Sequence, residues 1–246
     1  MLNNDDWQFF RENGYVIIKN VLDKKLLDVI GKSFDEIRAA EGGDHCNQHI
    51  LLKYKAMIDL IEHPPILDHM LALYGSRTQL LQYDFLYQPP NNEGPERGWH
   101  RDFSFPGDTP LSTNCIVYLQ DMDDEIGPTY VLPGSHKAWR EPLSDEEKHA
   151  PMEGEVAAYV KAGDMVVINS AVLHSGTINK TNDKHRRNLY IYYGHWWLKR
   201  YEPNQDRPWQ CLENASEQRL QLLGLKSPGD MHMYTPDALR NGNDQY

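Results

Sequence analysis

The sequence predicts a mainly β domain with flanking helices, a β-sandwich or jelly roll that follows an N-terminal helical layer. Two observations lead to this prediction. Up to about residue 75, apolar residues recur at helical spacing, and from Thr78 onward short segments of β-branched and aromatic residues alternate with glycine- and proline-rich turns. Regular short strands separated by such turns are typical of sandwiches and jelly rolls.

The N-terminal layer contains three predicted helices and one predicted strand. The first helix has acidic residues in its first turn and stops at Gly14, and the second ends at Gly42. A proline suits the first turn of the third helix. The expected bounds are Asp5–Asn13, Asp23–Ala40 and Pro65–Gly75 for the helices and Tyr15–Lys19 for the strand.

The β-rich part contains five predicted strands and two long loops. Loops at the mouth of a barrel usually form lids or binding walls. A last helix is expected over Asn214–Leu223, capped at Asn214 or Ser216 and closed by Gly224. The last twenty residues have weak periodicity and are expected to be partly disordered. The predicted strands are Thr78–Tyr87, Asn114–Gln120, Tyr130–Leu132, Met165–Asn169 and Asn188–Tyr193, and the loops are Gln88–Gly98 and Pro142–Glu155.

Size and charge limit the possible functions. A chain of 246 residues is long enough for one sizeable domain with a buried core. Its formal net charge of −11 argues against non-specific nucleic-acid binding and against an anionic membrane surface, since both need a basic face. The same acidic balance disfavours a large polyanionic substrate.

Cysteine spacing and the absence of apolar runs predict a cytoplasmic protein. Cys46, Cys115 and Cys211 are far apart and form no Cys-x-x-Cys motif, so a reducing compartment is the simplest expectation. Residues 1–6 do not resemble a signal peptide. No apolar run approaches the ~18 residues that span a bilayer.

Two histidines and one aspartate have the chemistry of a metal site. His100 and Asp102 are two positions apart, so on an extended strand both side chains point to the same side. His174 is expected to join them from another strand. Two imidazoles and one carboxylate suit Fe(II) and leave three adjacent coordination positions for a co-substrate and O2.

A basic cluster follows the second histidine. Arg186 and Arg187 lie at the start of a β-rich segment. An arginine there can hold a carboxylate through two parallel hydrogen bonds. Together with the triad, it suits a 2-oxoacid dianion whose keto-acid end chelates the metal. The alternative is a solvated pair of arginines at the start of a strand.

In combination, these motifs resemble the phytanoyl-CoA dioxygenase family of Fe(II)/2-oxoglutarate-dependent oxygenases. The resemblance covers about residues 5–200, leaving 201–246 as a C-terminal extension of one domain, 1–246. It implies a double-stranded β-helix (a cupin-like jelly roll), Fe(II), the co-substrates 2-oxoglutarate and O2, succinate and CO2 as co-products, and hydroxylation of a small molecule at an unactivated carbon. The matching stretches are Phe9–Ile18, Trp99–Asp102, Gly127–His136, Ala162–Asp164 and His174–Gly176 with Asn179 and Arg186.

The chain departs from the family pattern at two places. The gap between His174 and the arginine is slightly longer than in the name-giving members, so Arg187 is the alternative to Arg186 as the clamp for 2-oxoglutarate. Gly176 stands where some members place a serine that contacts 2-oxoglutarate. Thr129 is the candidate for that missing contact.

Three alternatives remain open at the level of sequence. A halogenase on the same scaffold would lack the carboxylate ligand, and Asp102 is present. A catalytically silent metal- or ligand-binding jelly roll would keep the same residues. A zinc hydrolase also uses two histidines and one carboxylate. The sequence identifies neither the primary substrate nor the oligomeric state.

Overall fold

Residues 3–103, 105–138, 142–198 and 207–225 are described by a computed structural model. The helices are α1 Asn4–Asn13, α2 Lys24–Glu41, α3 Gln48–Leu51, α4 Lys55–Leu60, α5 Pro64–Tyr74, α6 Asp145–His149 and α7 Glu217–Leu222, with a 3-10 helix at Trp209–Cys211. The strands are β1 Tyr15–Ile18, β2 His45–Asn47, β3 Gln79–Gln88, β4 Ser112–Tyr118, β5 Thr129–Val131, β6 Val156–Ala158, β7 Met165–Asn169, β8 His174–Ser175 and β9 Arg186–Gly194.

The described strands form two antiparallel sheets. The larger sheet has six strands in the order β1-β7-β4-β9-β3-β2, and the smaller has three in the order β6-β5-β8. The predicted mainly β class with an N-terminal helical layer is therefore confirmed.

The two faces of the larger sheet contribute to different apolar clusters because side chains alternate along each strand. On β4, Cys115 and Val117 join a core beneath the helices, where Phe34 of α2 stacks on Phe85 with ring centroids 4.1 Å apart. Ile116 on the other face joins a second apolar cluster that extends to the smaller sheet. Polar side chains on that second face turn toward the interior between the sheets.

The local signals for the long helices are confirmed. The Asn3 side chain caps α1, and Gly14 ends it in the left-handed region at φ 80°. The Asp23 side chain caps α2, and Gly42 ends it at φ 73°. The predicted last helix is shorter than expected, since it begins after Ser216, which accepts from the amide of Arg219.

The predicted strands are present, with shifted bounds except for β7. The short elements β2, α3, α4, β6 and β8 were not predicted, and α6 lies inside the predicted loop Pro142–Glu155. The prediction for the last twenty residues falls outside the described ranges.

Two findings concern compartment and membrane. Cys46, Cys115 and Cys211 are buried, and none of them forms a disulfide bond. Among the described residues, no helix has both the length and the apolar composition that a bilayer crossing requires.

Asp164 ties β1 to the turn before β7. It is 1% exposed, and its carboxylate accepts from the amides of Asn20 and Lys161, each at 2.9 Å. We expect Asp164→Ala to lower the free energy of unfolding by about 2–3 kcal/mol, because two backbone donors lose their acceptor. Lys19, which approaches Asp164 at 3.4 Å and is 62% exposed, is the control. Lys19→Ala should cost at most ~1 kcal/mol, and an equal loss in both variants under urea denaturation would contradict this account.

Candidate active site

His100 and His174 are brought together by the backbone. Each donates its amide to the other's carbonyl oxygen at 3.0 Å, which forms an isolated bridge beside β8. The two imidazole centroids lie 4.3 Å apart. The structure thus places His174 of β8 beside His100.

Both imidazole rings are oriented by main-chain carbonyls. Nδ1 of His100 lies 2.8 Å from the Gly98 oxygen, and Nδ1 of His174 lies 3.1 Å from the Val172 oxygen. When Nδ1 carries the proton and donates, Nε2 keeps its lone pair. Both rings therefore direct Nε2 at a common point, as metal-binding histidines do.

Asp102 completes the cluster. Its Oδ1 lies 3.6 Å from Nε2 of both histidines, and one ligand atom from each of the three residues lies within 4.8 Å of the others. The segment carrying Asp102 is not a regular strand, so the prediction of a strand at this point is wrong. Hydrogen bonds from Arg101 Nη1 to the Ala171 oxygen and from the Phe103 amide to the Ser170 oxygen bend the chain instead.

Burial and the mutual charges shift the pKa values of all three residues, and for His174 and Asp102 the shift favours the protonation state that a metal needs. Burial lowers the pKa of His174, which keeps its imidazole neutral. Burial alone would raise the pKa of Asp102, but the neighbouring His174 and His100 outweigh it and hold that pKa below its ordinary value. For His100, burial acts to lower the pKa, and the Asp102 carboxylate reverses the direction and raises it.

Two residues of the larger sheet support Asp102, and the sequence did not indicate either of them. Nδ2 of Asn114 donates to Oδ2 at 3.3 Å, and the Tyr192 hydroxyl donates to Oδ1 at 3.5 Å. The side-chain oxygen of Asn114, Oδ1, is buried and has no hydrogen-bond partner among the described residues. A bound group that donates a hydrogen bond there would fit this cluster.

We expect Asn114→Ala to weaken Fe(II) binding by about 10- to 100-fold, because residues that orient metal ligands typically have effects of this size. The measurement is an anaerobic Fe(II) titration. Asn182→Ala, at an exposed site, is the matched control. Unchanged Fe(II) affinity in Asn114→Ala would mean that Asp102 is held without its help.

Arg186 and Arg187 point to opposite faces of β9. Arg186 is 2% exposed and donates from Nη1 to the Thr177 oxygen at 2.9 Å, and the Asn188 amide lies 3.1 Å from its Nε. Within the described part of the chain, no carboxylate lies within ion-pairing distance of it. Arg187 instead pairs with Asp35 of α2 at 2.8 Å. By the alternation of β9, Arg186 shares the face of Tyr192, which contacts Asp102.

Thr129 also lies on the interior side. It is 2% exposed, and its hydroxyl accepts from the Tyr118 hydroxyl at 2.8 Å. Tyr118 is close enough to Arg186 for the guanidinium to oppose the rise that burial causes in its pKa. Thr129, Tyr118 and Arg186 thus form one polar neighbourhood.

The remaining histidines and aromatics have structural contacts. His136 is fully buried, and its Nε2 lies 3.0 Å from the Arg11 oxygen. The His185 ring stacks on Tyr87, away from the triad.

Comparison with known proteins identifies the family. The model of the family described as phytanoyl-CoA dioxygenase (PhyH) matches residues 10–188, which is most of the chain. The chain belongs to the phytanoyl-CoA dioxygenase family. It is similar to the iron/alpha-ketoglutarate-dependent dioxygenase PenM of Penicillium thymicola, at 28% identity over 90% of this chain and 77% of that protein. The chain is thus an Fe(II)/2-oxoglutarate-dependent dioxygenase.

Solved structures support the fold of this dioxygenase. HygX from Streptomyces hygroscopicus, crystallised with nickel and 2-oxoglutarate, superposes with a TM-score of 0.68 over 82% of this chain and 90% of its own, at 17% identity. SnoK, a carbocyclase from nogalamycin biosynthesis, gives 0.66 over 79% and 84%, at 24% identity. The shared fold accommodates more than one reaction outcome.

Proposed function

We propose that this dioxygenase hydroxylates a small organic molecule at an unactivated carbon, with succinate and CO2 as co-products. The proposal depends on one observation. Among the described residues, the buried guanidinium of Arg186 has no acidic partner, and it shares an interior face with Tyr192, whose hydroxyl contacts the aspartate of a His-Asp-His cluster.

The metal ligands are His100, Asp102 and His174. Nitrogen and carboxylate donors without thiolate suit Fe(II), and three ligands on one side leave positions for a co-substrate and O2. Bound Fe(II), with 2-oxoglutarate and O2, supplies the oxidant that removes a hydrogen from the substrate carbon. The protein's part is to hold neutral imidazoles and an ionised carboxylate in place and to keep their surroundings partly dry.

Arg186 is the proposed clamp for the distal carboxylate of 2-oxoglutarate. A buried charge is costly unless it is paired, so a guanidinium with only neutral partners suits a ligand that brings a carboxylate. The position of Thr129 beside Tyr118 supports it as a further contact for the co-substrate. The pairing of Arg187 with Asp35 disfavours Arg187 for this role.

Several broader expectations belong to the same proposal. We assign the two sheets to the two walls of a double-stranded β-helix, and residues 1–246 to one domain. A cytoplasmic location and a small-molecule substrate, without nucleic-acid or membrane partners, remain predictions. The oligomeric state is open.

The position of Asp102 favours hydroxylation over halogenation. With its carboxylate bound, the metal has no position left for a halide beside 2-oxoglutarate and O2. We expect product mass spectra recorded in chloride and bromide buffers to contain oxygenated products, or desaturated or cyclised products of the same radical chemistry. A halogenated product from the unmodified protein would remove Asp102 from the ligand set.

The decisive experiment is 2-oxoglutarate-dependent succinate formation with added Fe(II), across a compound panel with O2 consumption recorded in parallel. Succinate and CO2 should form together and require both Fe(II) and 2-oxoglutarate. Binding of both without turnover under every condition would favour a silent ligand-binding protein. Hydrolysis supported by Zn²⁺ without 2-oxoglutarate would favour a zinc hydrolase.

A further inference from the structure

The interior face of the larger sheet is open near its β3 side. β9 is a central strand, flanked by β3 and β4, yet Tyr190 and Tyr192 on its interior face are partly exposed. Gln82, opposite Tyr192 in the register, is also partly exposed. Tyr190 still packs on the second apolar cluster, so the cover of this face is incomplete rather than absent. The interior face is therefore partly open to solvent beside the Tyr192–Asp102 contact.

A carboxylate lies beside this partly open region. Asp84 is opposite Tyr190 in the register of β3 and β9, and its side chain is 7% exposed. Its neighbours are the Gln82 amide, which donates to Oδ2, and Nε2 of His45, 3.6 Å from Oδ1. His45 is on the edge strand β2 and its side chain is 61% exposed, so the region opens to solvent on that side.

The basic side chain Arg186 and the acidic side chain Asp84 lie at different distances from the metal end of this face. Among the described residues on the interior face of β2, β3, β4 and β9, one is a lysine or arginine, namely Arg186. It lies at the opposite end of β9 from Tyr192. Asp84 lies on β3, four residues from Gln88, which is the partner of Arg186 in the register, and two residues from Gln82, the partner of Tyr192. Among the described strand residues, the end of the face next to Asp102 therefore offers hydrogen-bond acceptors and aromatic rings, and no lysine or arginine that would pair with an anionic substrate.

We propose that Gln82, Asp84, Tyr190 and Tyr192, with His45 at the rim, form the subsite for the primary substrate. The group recognised there is a hydrogen-bond donor, a hydroxyl or an ammonium, on an apolar ring or chain that lies on the two tyrosines. Carboxylates, phosphates and coenzyme A thioesters are rejected because Asp84 repels them. The inference rests on the proposed function, since it assumes that the His-Asp-His cluster is the metal centre.

The test uses four probes that share one apolar ring: 4-tert-butylcyclohexylamine, 4-tert-butylcyclohexanol, the methyl ether of that alcohol, and 4-tert-butylcyclohexanecarboxylate. Binding to the full-length enzyme loaded with Fe(II) and 2-oxoglutarate is measured without O2 by ligand-observed NMR. The amine and the alcohol should bind about 10- to 100-fold more tightly than the ether and the carboxylate, because a hydrogen bond to a charged acceptor is lost in the latter two.

Asp84→Asn should remove most of the amine's advantage over the ether and improve binding of the carboxylate. Asp35→Asn, on the outer face of α2, is the matched control and should leave the ranking unchanged. The ranking on the unmodified enzyme tests the charge argument even if Asp84→Asn fails to fold. Equal affinity of the four probes, absence of amine and alcohol binding, or an unchanged ranking in folded Asp84→Asn overturns the inference.

The proposed function has its own readout. Fe(II) affinity, 2-oxoglutarate affinity and probe-independent succinate formation are measured on the same enzyme without any probe. If the enzyme binds neither Fe(II) nor 2-oxoglutarate and forms no succinate, the proposed function is wrong. If it does all three and the four probes do not follow the expected ranking, only the proposed substrate subsite is wrong.

Discussion

His174→Ala is expected to abolish Fe(II) binding and 2-oxoglutarate turnover. The residue is 4% exposed, its ring is oriented by the Val172 oxygen, and its Nε2 lies 3.6 Å from Asp102. Removing a residue that only orients a ligand typically costs 10- to 100-fold in metal affinity. Losing the ligand itself should therefore exceed about 100-fold, and succinate formation should fall in parallel.

The matched control is His149→Ala. His149 is exposed on α6, and its Nδ1 lies 2.8 Å from the Asp145 oxygen of the same helix, so its ring is not part of the His-Asp-His cluster. Both variants are compared by anaerobic Fe(II) titration and by succinate formation, with circular dichroism to check folding. Unchanged turnover in a folded His174→Ala protein would remove this residue from the ligand set.

Local patterns in the sequence were sufficient to predict the helices α1 and α2 and the strand β7. The cap residues of α1 and α2 and the glycines that end them interact within one turn, so the sequence alone carries the information. β7 matches its prediction because all of its residues are buried and the first four are apolar, and a short apolar run between two turns is typical of a buried strand.

Short elements needed information from distant residues. β8 has only two residues and exists because it pairs with β5 and because His174 exchanges hydrogen bonds with His100. β2 depends likewise on its pairing with β3. The bend at Asp102 is also set by distant contacts, since its hydrogen bonds reach Ser170 and Ala171. No periodicity within 100–103 reveals them.

The residues of the candidate site also fall into those that the sequence alone could predict and those that it could not. The metal cluster could be predicted because its residue types are chemically restrictive, whatever the surrounding fold. Asn114, Tyr192 and Asp84 were missed because no motif surrounds them in the sequence, and their role depends on which face each strand turns inward. The register of β4, β9 and β3 supplies that information, and it is a property of the folded sheet.

Arg186→Ala is expected to weaken 2-oxoglutarate binding strongly. The guanidinium is buried, and its hydrogen-bond partners among the described residues are neutral. Removing one partner of a desolvated charge pair costs about 2–5 kcal/mol, which corresponds to a loss of roughly 30-fold or more at about 1.4 kcal/mol per decade. Arg186→Lys should restore little, because an ammonium cannot reproduce the planar fork of two parallel donors.

Arg187→Ala is the matched control, because the neighbouring arginine has the same charge and lies on the opposite face of β9. It pairs with Asp35 at 2.8 Å and its side chain is 26% exposed, so its removal should leave 2-oxoglutarate affinity nearly unchanged. The measurement is a titration of each Fe(II)-loaded variant with 2-oxoglutarate without O2. If Arg187→Ala weakens binding and Arg186→Ala does not, then the face of β9 that carries Tyr192 is not the one that receives the co-substrate. The assignment of the metal cluster would survive that result, because its geometry depends on His100, Asp102 and His174 alone.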